Sequence, residues 1–206
     1  MSGKLILPVM VDPSYTVDID TPKDWARSEW LVWNSGLDII YPGNSHRPLP
    51  EQVELVIFDF DGVMTDNRVW VDQNGSEMVA AYRSDSMGLN QLRKAGIAAM
   101  VISTEINPVV AARCQKMKLP YKQGVDDKAA LLKSILAERQ IDPGRVIYVG
   151  NDINDLPCFP LVACALVVAD AQPAALRQAD IILSRRGGYG AVRELCDLLL
   201  QRISSR

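Results

Sequence analysis

From Val53 onward, short β-branched runs alternate with amphipathic stretches of helical period. That rhythm is how a parallel sheet covered by helices is written, because strands buried on both faces carry nearly continuous apolar runs. The candidate strands are VELVIFD (53–59), IAAMVIS (97–103), RVIYVG (145–150) and ACALVVA (163–169). Candidate helices fill the intervals: SMGLNQLRKAG, with Leu89, Leu92 and a closing Gly96; NPVVAARCQKM after Asn107 and Pro108; and DKAALLKSILAERQ from Asp127. The expected fold class is α/β, a three-layer Rossmann-like parallel sheet spanning residues 53–206.

After the first strand, RVWVDQNGSEMVAAY sets two extended runs either side of Gln73-Asn74-Gly75. Asn-Gly favours a hairpin turn because both residues tolerate positive φ. The expected product is a β-hairpin flap at the C-terminal edge of the sheet, where ligands of open α/β sheets bind. Upstream, TPKDWARSEWLVW suits one helix begun by Thr21 and Pro22, within a segment assigned to residues 1–39. The Pro- and Gly-rich YPGNSHRPLPEQ reads as a linker over residues 40–52.

Composition limits the partners. A chain of 206 residues that is 48% hydrophobic buries one substantial core plus an appendage. Its 22 basic and 25 acidic residues are mixed, without a basic block, which argues against nucleic acid. Four cysteines without a CxxC pair and a single histidine, His46, do not make a zinc site and suit reduced, buried thiols. LILPVMV (5–11) is too short to span a membrane and lacks a signal-peptide cleavage site, so a cytoplasmic protein with no membrane partner is expected.

The chemistry concentrates in Asp59-Phe60-Asp61-Gly62-Val63-Met64-Thr65-Asp66, directly after LVIF. Two carboxylates two positions apart at the end of a buried strand repel each other unless a cation or proton neutralises them. Hard oxygen ligands of this kind suit Mg²⁺, which also binds phosphate oxygens. The DxDGxxxD spacing resembles the first motif of the haloacid dehalogenase superfamily. That resemblance implies Asp59 as a nucleophile attacking phosphorus and Asp61 as general acid and base, with its backbone carbonyl on the metal. It further implies Ser103, at the end of MVIS, as a phosphoryl hydrogen-bond partner and Lys128 as the cation balancing nucleophile and phosphate. The motif Gly150-Asn151-Asp152-Ile153-Asn154-Asp155 matches the superfamily's acidic metal motif except that Asn151 stands where an acidic ligand is usual. An amide oxygen also ligates Mg²⁺, but the lost charge shifts the load to Asp59, Asp152 and Asp155.

Over residues 53–203 the hairpin, RSDSMGLNQLRKAGI, DKAALL, VADAQPAAL and GGYGAVRELCDLLL together resemble the capless phosphatases of 3-deoxy-octulosonate 8-phosphate and nonulosonate 9-phosphate. The resemblance implies a homotetramer in which one subunit's hairpin and glycine-rich tail cover a neighbour's pocket, with Arg193 a phosphate or carboxylate contact. It puts Asp85 and Arg113 among the substrate-binding residues. Glu105, in Ser103-Thr104-Glu105, is similar to the nonulosonate branch, and an acidic side chain there accepts hydrogen bonds from sugar hydroxyls. VDIDTPKDWARSEWL resembles the closing segment of acylneuraminate cytidylyltransferases, in which the aspartates matching Asp18 and Asp20 hold a metal. No Gly- and Lys-rich triphosphate loop precedes it here, so the expected arrangement is the C-terminal part of a fused cytidylyltransferase and phosphatase. The expected function is therefore Mg²⁺-dependent hydrolysis of a phosphorylated acid sugar. The alternative is a catalytically weak assembly module of a cytidylyltransferase.

Overall fold

The computed structural model describes residues 18–34 and 47–204. The chain divides into two compact units, Met1–Leu37 and Asp38–Arg206. In the first, helix α1 (Pro22–Asn34) begins as its sequence predicts. Thr21 Oγ1 donates to Asp24 Oδ2 (2.6 Å), and the Asp24 N–H donates back to Thr21 Oγ1 (3.3 Å), so the cap satisfies otherwise orphaned helix-start donors. LILPVMV and His46 lie outside the described residues.

The second unit runs in the order β1 (Leu55–Phe58), β2 (Trp70–Val71), β3 (Glu77–Met78), α2 (Asp85–Lys94), β4 (Ala98–Ile102), α3 (Val109–Met117), β5 (Tyr121–Lys122), α4 (Lys128–Arg139), β6 (Val146–Gly150), β7 (Cys164–Val167), α5 (Pro173–Gln178), β8 (Ile181–Ile182) and α6 (Ala191–Ser204). Six strands form one parallel sheet in the order β5-β4-β1-β6-β7-β8. All four predicted long strands are present and lie at its centre. Their side chains explain why: Leu55, Val56, Ile57 and Phe58 are each fully buried. Each such side chain contributes roughly 1.5–3 kcal/mol relative to exposure. The two edge strands, β5 and β8, were not legible in the sequence, because two residues carry no period.

Chain order dictates where a site can form. The chain steps outward from β1 through β4 to β5, then crosses back to β6 and outward on the other side through β7 to β8. Right-handed crossovers put the connections of the two halves on opposite faces of the sheet. A crevice opens at the C-terminal ends of the strands where the two halves diverge, beside β1.

The hairpin forms, β2 pairing antiparallel with β3. Its turn is organised differently from the Asn-Gly expectation. Gly75 alone of the pair takes positive φ, at 79°, while Asp72 Oδ1 accepts from the Asn74 and Ser76 N–H groups at 2.8 Å each. The C-terminal part of the expected linker is tied down as well. Arg47 pairs with Asp180 (Nη2 to Oδ2, 2.7 Å) and donates to the Phe159 carbonyl (2.9 Å), while Arg202 donates to the Leu49 carbonyl (3.2 Å). A guanidinium with several convergent acceptors holds a segment that composition alone marks as loose. All four cysteines are free and buried, and burial pushes each thiol up to about 12. Among the described residues no helix is long and apolar enough to cross a membrane.

Candidate active site

Asp59 is the first residue beyond β1, and its N–H continues the ladder by donating to the Val149 carbonyl (2.9 Å). The residue is 4% exposed. Oδ1 accepts from the Phe60 N–H (2.7 Å) and from Lys128 Nζ (2.8 Å). Lys128 reaches it because Asp127 caps α4 by accepting from the Ala130 N–H (2.9 Å), which sets Lys128 in the first turn, facing inward. The same Nζ donates to Asp155 Oδ1 (2.8 Å).

Two carboxylates and one ammonium thus share a buried space, leaving one negative charge in excess. Burial first, and then the charge of Asp155, push Asp59 up to about 7, with Lys128 opposing. Burial opposes the charge on Lys128, but the flanking carboxylates hold it above the ordinary lysine value. The excess charge is what a proton or a divalent cation would neutralise.

Asp155 departs from its expected role as a metal ligand. Besides Lys128 it receives Tyr148 Oη on Oδ1 (2.8 Å), and the Asn151 and Asp152 N–H groups on Oδ2 (2.8 and 3.3 Å). Four donors occupy the lone-pair sites of one carboxylate, so none remains for an ion. Gly150 permits this packing: a β-carbon there would lie 2.5 Å from Asp155 Oδ2. Asp155 acts instead as the anchor that orients Lys128 and closes the loop after β6. The phenol of Tyr148, in the middle of an apolar strand, was a missed clue, since a buried hydroxyl needs a partner.

The loop after Asp59 is wound tightly. The Phe60 carbonyl accepts from the Met64 N–H (2.8 Å), Gly62 takes φ +78°, and its N–H donates to the buried Thr65 Oγ1 (3.1 Å). Burial raises the carboxyl of Asp61, and the charge of Glu105 raises it further. Part of the glycine-rich tail packs on this loop within the same chain. The Gly188 N–H donates to the Val63 carbonyl (3.1 Å), and a β-carbon on Gly187 would meet the Gly62 carbonyl oxygen.

Asn151, 5% exposed, directs its amide at two acceptors. The outer end of the amide lies 3.2 Å from Asp59 Oδ2 and 3.1 Å from the Asp61 carbonyl, and turned nitrogen-first it would donate to both.

Above these groups lies a cleft of about 410 Å³, walled by Asp59, Asp61, Asn151 and Asp152 on one side and by hairpin residues on the other. Glu105 lines it, with Oε1 capping the Ile106 and Asn107 N–H groups (2.7 and 2.8 Å). Ser103 sits beneath: its Oγ accepts from the Glu105 N–H (3.0 Å). Asn107, Glu77 and Arg68 are cleft residues that carried no sequence signal. Asn107 donates to Glu77 Oε2 across the cleft (2.9 Å), joining the hairpin to the loop after β4. Arg68 is the one basic side chain among the described residues that line the cleft.

Asp85, Arg113 and Arg193 do not join this constellation within the chain. Arg193 pairs with Asp197 through Nε (2.7 Å), one helical turn away on α6. Arg113 donates to the Tyr82 carbonyl (3.1 Å). Asp85 is buried where α2 meets α6 and accepts from the Arg193 N–H (3.2 Å). The physical reason is the tight crossing of the two helices, in which a β-carbon on Gly88 would lie 2.9 Å from Arg193 Cδ and from Cys196 Cβ. Burial pushes Asp85 up from 3.8 to about 6 against the Arg193 N–H and the two arginines. A folded-state value above the unfolded one stabilises the fold below about pH 4, and that contribution disappears as pH rises through 6. Asp85→Asn removes the titration. Its stability relative to the unaltered chain should therefore grow by up to about 3 kcal/mol from pH 4 to pH 7 in urea unfolding. A difference independent of pH would reject the assignment.

A divalent cation at the floor of the cleft would find oxygen donors in Asp59 Oδ2, the Asp61 carbonyl and the Asp152 carboxylate at the wall. Among the described residues no three His, Cys, Asp or Glu side chains converge as a metal site. This sparse oxygen set fits Mg²⁺, which binds through one or two carboxylates and keeps several waters.

No family model matches the chain. It is similar to N-acylneuraminate cytidylyltransferase A of Danio rerio, 32% identical over 190 residues, covering 91% of this chain and 43% of that protein. The chain therefore spans less than half the length of that relative. It is 34% identical over 151 residues to the 3-deoxy-D-manno-octulosonate 8-phosphate phosphatase KdsC of Escherichia coli K12, covering 73% of this chain and 80% of the relative. Among solved structures, a cobalt-bound deoxy-D-mannose-octulosonate 8-phosphate phosphatase from Haemophilus influenzae superposes with TM-score 0.70 at 30% identity, over 74% of this chain and 90% of that one. The Moraxella catarrhalis phosphatase in complex with magnesium, phosphate and KDO superposes with TM-score 0.70 at 28% identity, over 73% and 87%.

Proposed function

Because the chain belongs to the 3-deoxy-D-manno-octulosonate 8-phosphate phosphatase family of HAD hydrolases, we propose that it hydrolyses a nonulosonate 9-phosphate of sialic-acid type, or a related 3-deoxy acid sugar phosphate, with Mg²⁺ and through an aspartyl-phosphate. The observation that carries this reading is the Asp59 carboxylate at the floor of the cleft, backed by the buried Lys128 and Asp155.

Asp59 attacks phosphorus and the sugar oxygen leaves with a proton from Asp61, whose raised carboxyl suits an acid. Asp61 then takes a proton from the water that attacks the aspartyl-phosphate, which releases phosphate and restores Asp59. Lys128 balances charge on Asp59 and on the phosphoryl group throughout. The Ser103 hydroxyl, which accepts from the Glu105 N–H, keeps its own proton for a phosphoryl oxygen. Asp59, the Asp61 carbonyl and Asp152 would hold Mg²⁺, which when bound supplies positive charge against the phosphoryl oxygens.

Glu105, Glu77 and Asn107 offer acceptors and a donor to sugar hydroxyls, and Arg68 is the partner we assign to the sugar carboxylate. The homotetramer expected from the sequence is supported by apolar side chains left exposed on the hairpin, Trp70 (67%), Val71 (60%) and Met78 (64%), which a second protomer would bury. In that arrangement Arg193 reaches a neighbour's cleft rather than its own. The likeness to a cytidylyltransferase supports reading residues 1–39 as a segment of that type, joined through residues 40–52 to the phosphatase domain. The free, buried thiols suit the cytoplasm.

Asn151 favours one second reading, an assembly module of weak activity, because an amide stands where the motif it resembles usually carries an acidic residue. Mg²⁺-dependent phosphate release from a nonulosonate 9-phosphate and from 3-deoxy-octulosonate 8-phosphate separates the two. The expected result is turnover of both, with kcat/KM at least about tenfold higher for the nine-carbon acid. Turnover of neither by folded protein would leave the assembly module.

A further inference from the structure

Asn107 lines the cleft and is held from three sides. Its Oδ1 accepts from the Val109 N–H (3.0 Å), an Asx turn at the start of α3 that settles which end of the amide faces the helix. Nδ2 is therefore the end that faces the hairpin, and it donates to Glu77 Oε2 (2.9 Å). The Asn107 backbone N–H donates to Glu105 Oε1 (2.8 Å). Among the described residues, the Asn107–Glu77 bond is the one side-chain hydrogen bond that ties hairpin residues 69–79 to the rest of the domain. Each carboxylate spends one oxygen on Asn107 and keeps the other: among the described residues, Glu105 Oε2 and Glu77 Oε1 accept no hydrogen bond.

We infer that Asn107 is a positioning residue for substrate recognition: it spans the cleft from Glu105 to Glu77 and holds both carboxylates so that their remaining oxygens accept from the hydroxyls of a sugar phosphate. Without the tie the two carboxylates would separate, since like charges repel and the hairpin strands are only two residues long. The amide is neutral, so it joins the carboxylates without cancelling either charge, and ionised acceptors bind hydroxyls more strongly than neutral ones. A phosphate ester without hydroxyls gains nothing from this arrangement. The inference rests on the reading of this cleft as a sugar phosphatase site.

The test compares the unaltered full chain, Asn107→Asp, and Asn107→Asp combined with Glu77→Gln. Aspartate keeps the oxygen that accepts from the Val109 N–H, but it loses the donor and sets a further carboxylate against Glu77. Adding Glu77→Gln restores the bond with its direction reversed, the glutamine amide donating to the aspartate. Two quantities are measured for each protein. One is the ratio of kcat/KM for a nonulosonate 9-phosphate to that for p-nitrophenyl phosphate, which carries no hydroxyls. The other is hydrogen exchange over residues 69–79, read by mass spectrometry without substrate. Asn107→Asp should lower the ratio about tenfold, the size of one misplaced hydrogen-bond acceptor, and speed exchange in the hairpin. The double variant should bring both back to within about threefold of the unaltered chain, because the two positions act as a pair. A merely structural role for Asn107 leaves the ratio unchanged, since both esters then lose alike, and that result overturns the inference. So does a double variant no better than Asn107→Asp. If the unaltered chain does not hydrolyse the nine-carbon acid, the phosphatase reading falls and hydrogen exchange alone decides. Exchange that speeds up in Asn107→Asp and recovers in the double variant then keeps Asn107 as the tie across the cleft, and exchange unchanged in Asn107→Asp removes it.

Discussion

Asp59→Asn is expected to abolish phosphate release, by at least about 10⁴-fold in kcat, because an amide oxygen does not displace the sugar alkoxide from phosphorus. The fold should survive, for reasons visible in the charge balance. An asparagine side chain still presents an oxygen to the Phe60 N–H and Lys128 Nζ, which hold Asp59 Oδ1 at 2.7 and 2.8 Å. Lys128 then faces Asp155 alone, so the buried excess of one negative charge becomes a balanced pair. Removing an uncompensated buried charge generally stabilises a protein. The variant should therefore unfold at the same or a higher urea concentration while releasing no phosphate. Phosphate release within tenfold of the unaltered chain would remove Asp59 from the role of nucleophile.

Lys128→Met is expected to have the largest effect on stability. Methionine matches the length of the aliphatic stem, so the variant separates charge from volume. Without the ammonium, Asp59 and Asp155 face each other with no cation between them, and breaking a buried ion pair from one side costs about 3–5 kcal/mol. For a domain of this size that is a fall of roughly 10 °C or more in Tm. The loss should shrink at low pH, because a proton on Asp59, already pushed up to about 7 by burial and by Asp155, relieves the repulsion. Urea unfolding of both proteins at about pH 5.5 and about pH 8.5 checks the magnitude and the sign. A loss below about 1 kcal/mol at the higher pH would mean that Lys128 is not the counter-charge.

The central sheet was readable from the chain because burial on both faces leaves a local mark. LVIF, VIYVG and CALV are apolar throughout, and each forms a fully buried strand. The hairpin was readable in position but not in detail, since the Asn-Gly signal reports a turn while Asp72 supplies the bonds that shape it. The edge strands were lost because their pairing is enforced by neighbours: Tyr121 and Lys122 extend only because Val101 and Ile102 lie beside them. Residues 47–50 looked like linker by composition, yet Arg47 finds Asp180 more than a hundred positions along the chain, and no local pattern records such a partner.

The sequence by itself determined the order of elements, the run of charged residues at the ends of β1 and β6 and at the start of α4, and with them the family. These are properties of period and spacing along one dimension, and they do not depend on how side chains turn. Only the tertiary structure decided what each polar group does. A carboxylate is a ligand, an anchor or an acid according to the donors that surround it, and those donors come from distant segments. Asp155 meets four donors and serves as an anchor, Arg193 meets Asp197 outside its own cleft, and the Asn151 amide is brought beside Asp59 Oδ2 and the Asp61 carbonyl.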